Sequence, residues 1–547
     1  MSDRELDTRG EGPFATRTLN ARLRDRAETD AGGTFLRFDD RSLSFGRLDE
    51  LARRYGNSLR AAGVGPGDPV ALFMGNSPEF VACAFGTNRA GGVWIPTCTD
   101  FKGPWLADAL TRSEASVAVV DGGLLPRLSE LPGGLPPNLR RMFVHGDSGG
   151  IERVGNIAIE PIEALADGAD SDPDPGVRPG DPAAVLWTSG TTGAPKGVIQ
   201  SHHAWVHRTA RMAGVRDIVA GDALYSPLPL YNSGGWILGV LGGLLSGNPV
   251  GVDERFSVAD FWDRCRHYGA TQIVTLGAMH MFLWQAPPSP RDADNPVRSA
   301  GCVPLPANLV EPFRERFGID YMWQLWGNSE VMIAAAADRR RARWSPGSAG
   351  LPEATLDVRL LDDSDREVPV GQVGEICIRP REPYLLFSGY YRDPEATARA
   401  LRNVWFHSGD LGRFNDDGEL FFVDRKADFM RFKGRNVSSF EVESALLRHP
   451  DVVAAGAHGV RSDQLDSEDE IKACVVLRDG ADPTPAELAR FVNDTAPYYL
   501  VPRYLEICAE LPLTPSGRVQ KFKLREHGVT EGTWDRDAAG FVLERGV

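Results

Sequence analysis

Apolar side chains at Leu48, Leu51, Ala52, Tyr55 and Leu59 recur at the spacing that puts them on one face of a helix, and Gly63 follows where such a helix would stop. The short apolar run Val70 to Met74 comes next, then a helix-like stretch opening at Pro78, then Val93 to Ile95. Val117 to Val120 and Ala183 to Trp187 repeat the strand pattern. Alternation of short buried strands with helices predicts a layered α/β architecture with mostly parallel strands. Asp167 to Pro182 is rich in Pro, Gly and Asp and is predicted to be a surface loop. A second boundary is expected near Asp424 to Asp428. Beyond it, strand-like Val452 to Ala457 and Ala473 to Leu477 and a helix over Pro485 to Asn493 make up one small domain. The polar tail after Leu524 is predicted to be poorly ordered.

Length adds to that picture without changing it: 547 residues can bury ample core and suggest several domains. Charge narrows the partners. The chain carries 60 basic against 75 acidic residues, a formal net charge of −15, and no basic stripe, which argues against nucleic acid. An anionic substrate is still allowed, because the field inside a cleft can oppose the global charge. Seven scattered cysteines, never spaced as CxxC, fit free thiols in a reducing compartment better than a disulfide or metal framework. The first residues mix charges of both signs and carry no apolar leader. The longest strongly apolar run, Trp236 to Leu245, falls well short of the ~20 residues that span a bilayer. A cytoplasmic enzyme with no membrane partner is expected.

Chemistry enters with Thr188-Ser189-Gly190-Thr191-Thr192-Gly193-Ala194-Pro195-Lys196-Gly197, which comes after the strand-like Ala183 to Trp187. Its glycines let the backbone turn tightly, and its hydroxyls and N–H groups then face one concavity, which suits phosphate oxygens. It is not a Walker A loop, since Lys196 is followed by Gly197 and the glycine spacing differs. By composition alone it could equally be a surface turn. A decoy stands at His145-Gly146-Asp147-Ser148-Gly149-Gly150, which contains the nucleophile signature of serine proteases. The α/β surroundings and the absence of a protease-like His/Asp layout in the sequence favour an ordinary turn there.

The order of residues in the glycine-threonine segment resembles the phosphate loop of the adenylate-forming superfamily, which includes acyl-CoA synthetases, peptide-synthetase adenylation domains and luciferases. Further motifs succeed one another in that family's order over nearly the whole chain. Trp326-Gly327-Asn328-Ser329-Glu330 looks like its aromatic-Gly-x-Thr-Glu motif, and Trp405-Phe406-His407-Ser408-Gly409-Asp410 like its ribose-binding Asp motif. Asp424-Arg425-Lys426, Gly434-Arg435-Asn436-Val437-Ser438 and Glu441-Val442-Glu443 resemble the hinge and the segment just after it. Pro515-Ser516-Gly517-Arg518-Val519-Gln520-Lys521 stands where the C-terminal catalytic motif belongs. Gln285-Ala286-Pro287-Pro288 before Asp294-Asn295-Pro296 is similar to the carnitine/crotonobetaine-CoA ligase branch.

The resemblance implies a large, multi-subdomain N-terminal adenylation domain over residues 1–424 and a small mobile α+β C-terminal domain over 425–547, with ATP bound between them. It implies that ATP activates a small acid as its adenylate, releasing pyrophosphate, and that CoA then takes the acyl group. The loop residues Thr188, Ser189, Gly190, Thr191, Thr192 and Gly193, with Lys196, would hold phosphates. Ser329 would bond the α-phosphate, and Glu330, a hard oxygen donor, would bind Mg²⁺. Asp410 and Arg425 would hold the ribose, and Trp326 would stack on adenine.

Departures from the family pattern mark what is special here. The usual catalytic Lys is Arg518, which keeps the charge on a wider, planar fork, with Lys521 as a substitute; the usual hinge Asp or Lys is Ala427; and the usual His near the carboxylate is Asn232. Trp236, Met279, Met281, Trp323 and Trp326 are expected around a small acyl pocket, with Gly277 on its wall. Two alternatives arise from the departures: activation of nitrite and its transfer to an aryl amine, or a weakened AMP-binding or carrier-loading protein. Oligomeric state is left open.

Overall fold

A computed structural model describes residues 16–173, 175–188, 195–337, 344–426, 428–432, 435–461, 469–514 and 519–543. The chain forms two compact units. The first comprises Met1–Ser189, Pro195–Asp357 and Arg379–Leu401; the second holds Val358–Ile378 and Arg402–Val547.

The first unit is built on two large sheets. In one, Tyr321–Trp323, Ser299–Val303, Gln272–Leu276, Leu224–Ser226, Val250–Val252 and Thr34–Phe38 run parallel, and Arg41–Ser44 closes the edge antiparallel. In the other, the parallel strands Pro182–Thr188, Val93–Pro96, Pro69–Phe73, Val117–Asp121, Arg141–His145 and Ile157–Pro161 are flanked by the antiparallel Lys196–Ser201 and Arg153–Val154. The expected strand–helix alternation is therefore present. Strand Pro69–Phe73 is buried throughout except at its first residue, as a strand covered on both faces must be.

The helix read from the periodicity spans Phe45–Ala61. The Ser44 side chain accepts from Arg47 N–H to start it, and Leu48, Ala52, Tyr55 and Leu59 are buried beneath it. Each of the two leucines contributes about 1.5–3 kcal/mol when fully buried. The surface segment Asp167 to Pro182 is pinned: Asp172 accepts from the buried Arg89 at 2.7 Å, and Arg89 also pairs with Asp49.

In the second unit, Leu356–Leu361, Gly374–Pro380, Phe406–Phe414 and Leu420–Arg425 form a four-stranded sheet whose first two strands begin or end in the first unit's segments. A second four-stranded sheet, Val452–Arg461, Asp469–Leu477, Tyr504–Ile507 and Trp534–Asp535, packs with helices Ser439–Leu446, Pro485–Thr495 and Lys521–His527. The fold class is the α/β type with an α+β C-terminal part that the sequence implied.

The tail departs from expectation. Trp534 pairs with Leu505, its ring lies 5.9 Å from that of Phe541, and Arg536 is buried with its guanidinium donating to Val501 O at 3.0 Å. Two aromatics and one buried arginine order a segment whose overall composition is polar. Among the described residues no helix is long and apolar enough to cross a membrane. The apolar run Trp236 to Leu245 is a buried π-helical turn, Trp236–Val240, continuing into Leu241–Ser246, and Arg216 donates to its Leu238 carbonyl at 2.6 Å.

Candidate active site

The strands on either side of the glycine-threonine segment pair antiparallel. Thr188 ends Pro182–Thr188 and stands directly opposite Lys196, which begins Lys196–Ser201; the Thr188 hydroxyl donates to the Lys196 carbonyl at 3.3 Å. This ladder fixes both stems. The turn itself, with Ser189, Gly190, Thr191, Thr192 and Gly193, lies outside the described residues. Its exit is anchored by Arg112, which donates to Pro195 O at 2.6 Å and lies 4.8 Å over the Trp187 ring.

From this hairpin a short chain of contacts leads to the acidic motif. Lys196 Nζ lies 4.9 Å from the centre of the Tyr390 ring, and the Tyr390 hydroxyl donates to Glu330 Oε1 at 2.8 Å. The backbone explains why these groups meet. Segment 387–391 continues the sheet edge, with Ile199 N–H donating to Gly389 O at 3.1 Å and Tyr391 N–H to Gly197 O at 2.6 Å. Phe387 N–H then bonds Glu330 O at 2.8 Å. On the other side, Gln200 donates its amide to the carbonyls of Ser329 and Glu330. Asn328 Oδ1 accepts the N–H groups of Glu330 at 3.2 Å and Val331 at 3.1 Å, which folds the motif into a tight turn.

Ser329 and Glu330 are half-buried at the end of this scaffold. A hard oxygen donor held by a neutral hydroxyl suits a hard divalent cation. Burial, then the neighbouring Glu330 charge, pushes the Tyr390 hydroxyl well above the ordinary tyrosine range, so it stays a protonated donor. Tyr390, Gln200 and Arg112 were not found in the sequence. The Gly389-Tyr390-Tyr391 run was the only available signal, and it carries no chemistry until the fold sets it beside Glu330.

The expected acyl pocket needs correction. Trp236 is a core residue, 1% exposed, ringed by Phe80, Phe85, Trp94 and Trp205, and its indole N–H is spent on Leu230 O at 2.7 Å. Trp323 is fully buried under Arg216. Aromatic size, which suggested a cavity wall, is equally what a close-packed core uses. Trp326 is 5% exposed, leaving little of the ring for a base to stack on.

Met279 and Met281 are half-buried. Gly277 has φ 56°, and a Cβ added there would meet nothing within 4 Å, so open space adjoins it. Asn232 starts the short turn Ser233–Gly235 without a side-chain capping bond and is half-buried.

In the second unit, Asp410 and Arg425 face each other across antiparallel strands Phe406–Phe414 and Leu420–Arg425, with Arg425 Nε 3.7 Å from Asp410 Oδ1. The turn into Asp410 depends on Gly409 at φ 73°, a value most side chains avoid. Gly409 N–H donates to Glu375 Oε1 at 3.1 Å.

Among the described residues, Glu375, Cys377 and His407 have a metal-like grouping. Glu375 Oε2 already meets Lys426 Nζ at 3.2 Å, Arg402 Nη2 at 3.4 Å and His407 Nδ1 at 3.3 Å, so Lys426 and Arg402 bring the positive charge a metal would supply. Burial raises the Glu375 carboxyl, but Lys426, Gly409 N–H and His407 together outweigh it and the group lies below the ordinary range. This is an ion-pair network.

Asp424 accepts from Ser439 N–H and the Ser439 hydroxyl, both at 2.6 Å, tying the end of the strand to the following helix. Lys521, the expected substitute, is paired with Glu443 at 2.8 Å and bonded to Ser439, so its ammonium is engaged within the second unit. Arg518 and Ala427 lie outside the described residues.

The protease decoy is settled by geometry. His145 does meet an aspartate, Asp121, at 2.9 Å, but its other nitrogen faces Glu79 at 3.4 Å, so neither nitrogen is left to serve Ser148.

The sequence matches the AMP-binding enzyme family over residues 23–391 and the AMP-binding enzyme C-terminal domain over 441–518. A crotonobetaine/carnitine–CoA ligase of Salmonella paratyphi A is 29% identical over 520 residues, covering 92% of this chain and 97% of that protein. The fold resembles the anthranilate CoA ligase AuaEII, solved with anthranoyl-AMP, with a TM-score of 0.83, 23% identity, and 94% and 98% of the two chains covered. It also resembles a benzoate CoA ligase from Burkholderia xenovorans LB400, with a TM-score of 0.81, 24% identity, and 93% and 99% covered. Since the first match alone spans well over half of its length, the chain belongs to the AMP-binding enzyme family.

Proposed function

We propose that the protein is an ATP-dependent acid–CoA ligase for a small acid. The observation that carries this is the linked set Lys196–Tyr390–Glu330, which joins the stem of a phosphate-type loop to a carboxylate suited to Mg²⁺. A carboxylate is a poor electrophile, and exchanging its charge for an AMP ester gives it a good leaving group.

In the first step a carboxylate oxygen of the acid attacks the α-phosphorus of ATP, the bond to the β-phosphate oxygen breaks, and pyrophosphate leaves. In the second, the CoA sulfur attacks the acyl carbon, the bond to AMP breaks, and the thiol proton goes to solvent. Lys196 and the loop Thr188 to Gly193 bind phosphates, Ser329 bonds the α-phosphate, and Glu330 would hold Mg²⁺, which would supply charge neutralisation between ATP and the acid. Asp410 and Arg425 hold the ribose, and Arg518 supplies positive charge to the transition state. Asn232 adjoins the acid carboxylate, and Gly277 opens the acyl pocket, with Met279 and Met281 half-buried near it.

The functional division is proposed at Asp424 and Arg425, with residues 425–547 moving between the two steps. A cytoplasmic setting suits ATP and CoA as substrates.

The CoA-ligase names of the relatives support this reading over nitrite activation, which draws no support from them. Pyrophosphate release over a panel of small acids, with and without CoA, tests it. Acid-dependent pyrophosphate followed by AMP and an acyl-CoA mass is expected. Release that depends on nitrite and an aryl amine and ignores CoA would replace it, and tight AMP binding with no turnover would leave a binding protein.

A further inference from the structure

All seven cysteines are free thiols, and six of them are buried; Cys508 alone reaches a surface. It does so beside a second thiol. Strands Asp469–Leu477 and Tyr504–Ile507 run parallel with Cys474 opposite Glu506. Cys508, two residues on, therefore shares the face of the sheet that Cys474 occupies. Its N–H donates to Val475 O at 2.8 Å, so the ladder holds the two strands together up to Cys508 itself.

Both cysteines line one cavity of about 310 Å³ in the second unit, together with Lys472, Glu506, Lys523 and His527. Cys474 is 3% exposed and forms the cavity's inner wall, while Cys508 is open to it. Nothing in the adenylation chemistry uses either residue.

We propose that Cys508 and Cys474 form a thiol-oxidation site that takes a small hydroperoxide at Cys508 and closes to a Cys474–Cys508 disulfide. The Cys508 sulfur attacks the outer peroxide oxygen, the O–O bond breaks, and an alcohol or water leaves, giving a sulfenic acid. The Cys474 sulfur then attacks the Cys508 sulfur, the S–O bond breaks, and the departing hydroxide takes the Cys474 proton to leave as water. Two thiols and one hydroperoxide thus become one disulfide, one alcohol or water, and one water.

Charge favours this order of events. Cys474 lowers the Cys508 thiol below its ordinary range, with burial and the Glu506 charge opposing and Lys472 assisting, whereas Cys508, together with burial, pushes Cys474 up. The direction favours the open sulfur as the attacking group.

The test is thiol titration and peptide mass mapping of the full-length protein before and after hydrogen peroxide. In the reduced native protein one thiol should react in the fast phase, and Cys508→Ser should abolish that phase. Peroxide should remove the mass of two hydrogens and join the peptides containing Cys474 and Cys508, reversibly with a reductant. Cys474→Ser should stall at a sulfenic acid that a dimedone-type reagent traps. Wild-type protein alone decides the matter, even if a variant misfolds. Oxidation spread over other residues with no Cys474–Cys508 link, or a fast phase that maps to another cysteine, overturns the proposal. These readouts need no turnover, so they stand or fall apart from the ligase assignment.

Discussion

Replacing Tyr390 by Phe removes one oxygen atom, the hydroxyl 2.8 Å from Glu330 Oε1, and leaves the ring that meets Lys196 and Phe387. Tyr390 is 7% exposed, so water cannot readily replace that donor. A hydrogen bond to a charged group contributes about 1.5–3 kcal/mol net. If that energy holds the Glu330 carboxylate where the metal–ATP complex needs it, its loss appears in the transition state. At about 1.4 kcal/mol per decade, kcat/KM for ATP should fall roughly 10- to 100-fold.

A structural role alone would lower stability and leave the metal dependence untouched. The informative assay is therefore pyrophosphate release against Mg²⁺ concentration, with ATP binding measured by calorimetry at each concentration. Tyr390→Phe should shift the Mg²⁺ midpoint upward in both. Tyr391→Phe is the control, because its hydroxyl lies 3.3 Å from Ser113 O, has no link to Glu330, and should leave that midpoint unchanged. An unchanged midpoint with wild-type kcat/KM in Tyr390→Phe refutes the reasoning, as does an equal shift in the control.

Three further outcomes are expected. Glu353 pairs with the fully buried Arg208 and with Arg211, both at 2.9 Å, and His207, Thr355 and these arginines outweigh burial to hold its carboxyl far below the ordinary range. Glu353→Gln should cost about 3–5 kcal/mol by urea unfolding, since it strands a buried guanidinium. A folded-state pKa below the unfolded one means the stabilisation is complete above the unfolded value of about 4.3 and is lost as pH falls toward the folded value. A loss under about 1 kcal/mol in the variant contradicts this. His145 runs the other way. Asp121 and then Glu79 raise it from 6.5 to about 9, so its contribution is full below about 6.5 and fades as pH rises through 9. With the ring partly exposed, about 1–2 kcal/mol is expected, read as a loss of alkaline dependence in His145→Asn unfolding curves. Finally, Trp236→Ala should destabilise by about 3–5 kcal/mol without redirecting substrate choice. Met279→Ala should do the reverse, widening acid selectivity at little cost in stability; substrate panels and unfolding curves on both variants separate the two roles.

What the sequence revealed and what it hid divide along a physical line. Strands and helices whose burial is local and periodic, such as Val70 to Met74 or Leu48 to Leu59, announce themselves, because the pattern is itself the consequence of one face being covered. The motifs were legible for a different reason. Adenylate chemistry demands hydroxyls, glycines and a carboxylate in a short fixed order, and order survives without a structure. Tyr390 was illegible because its role exists only across the 60 residues between it and Glu330. The tryptophans misled because a large apolar ring obeys the same rule in a core and in a pocket wall. Only the neighbours decide: four aromatic rings and a carbonyl for Trp236, open space for Gly277.

The same distinction bears on the departures from the family pattern. Arg518, Ala427 and Asn232 are the positions where the resemblance leads one to expect other residues, and decayed function would also loosen the nucleotide scaffold. Among the described residues it has not loosened. The Thr188–Lys196 register, the Gln200 and Asn328 bonds around Glu330, the Gly409 turn and the Asp424 tie to Ser439 are each complete. Several of them tie up buried polar groups that would cost about 1–3 kcal/mol each to leave unmet. A chain that had lost its use for nucleotide would have no reason to keep Glu330 half-open at the end of so constrained a turn while filling the space around it with core. The intact scaffold supports the proposed ligase over a decayed binding protein. That is why a substrate panel, and not a search for lost activity, is the experiment the geometry calls for.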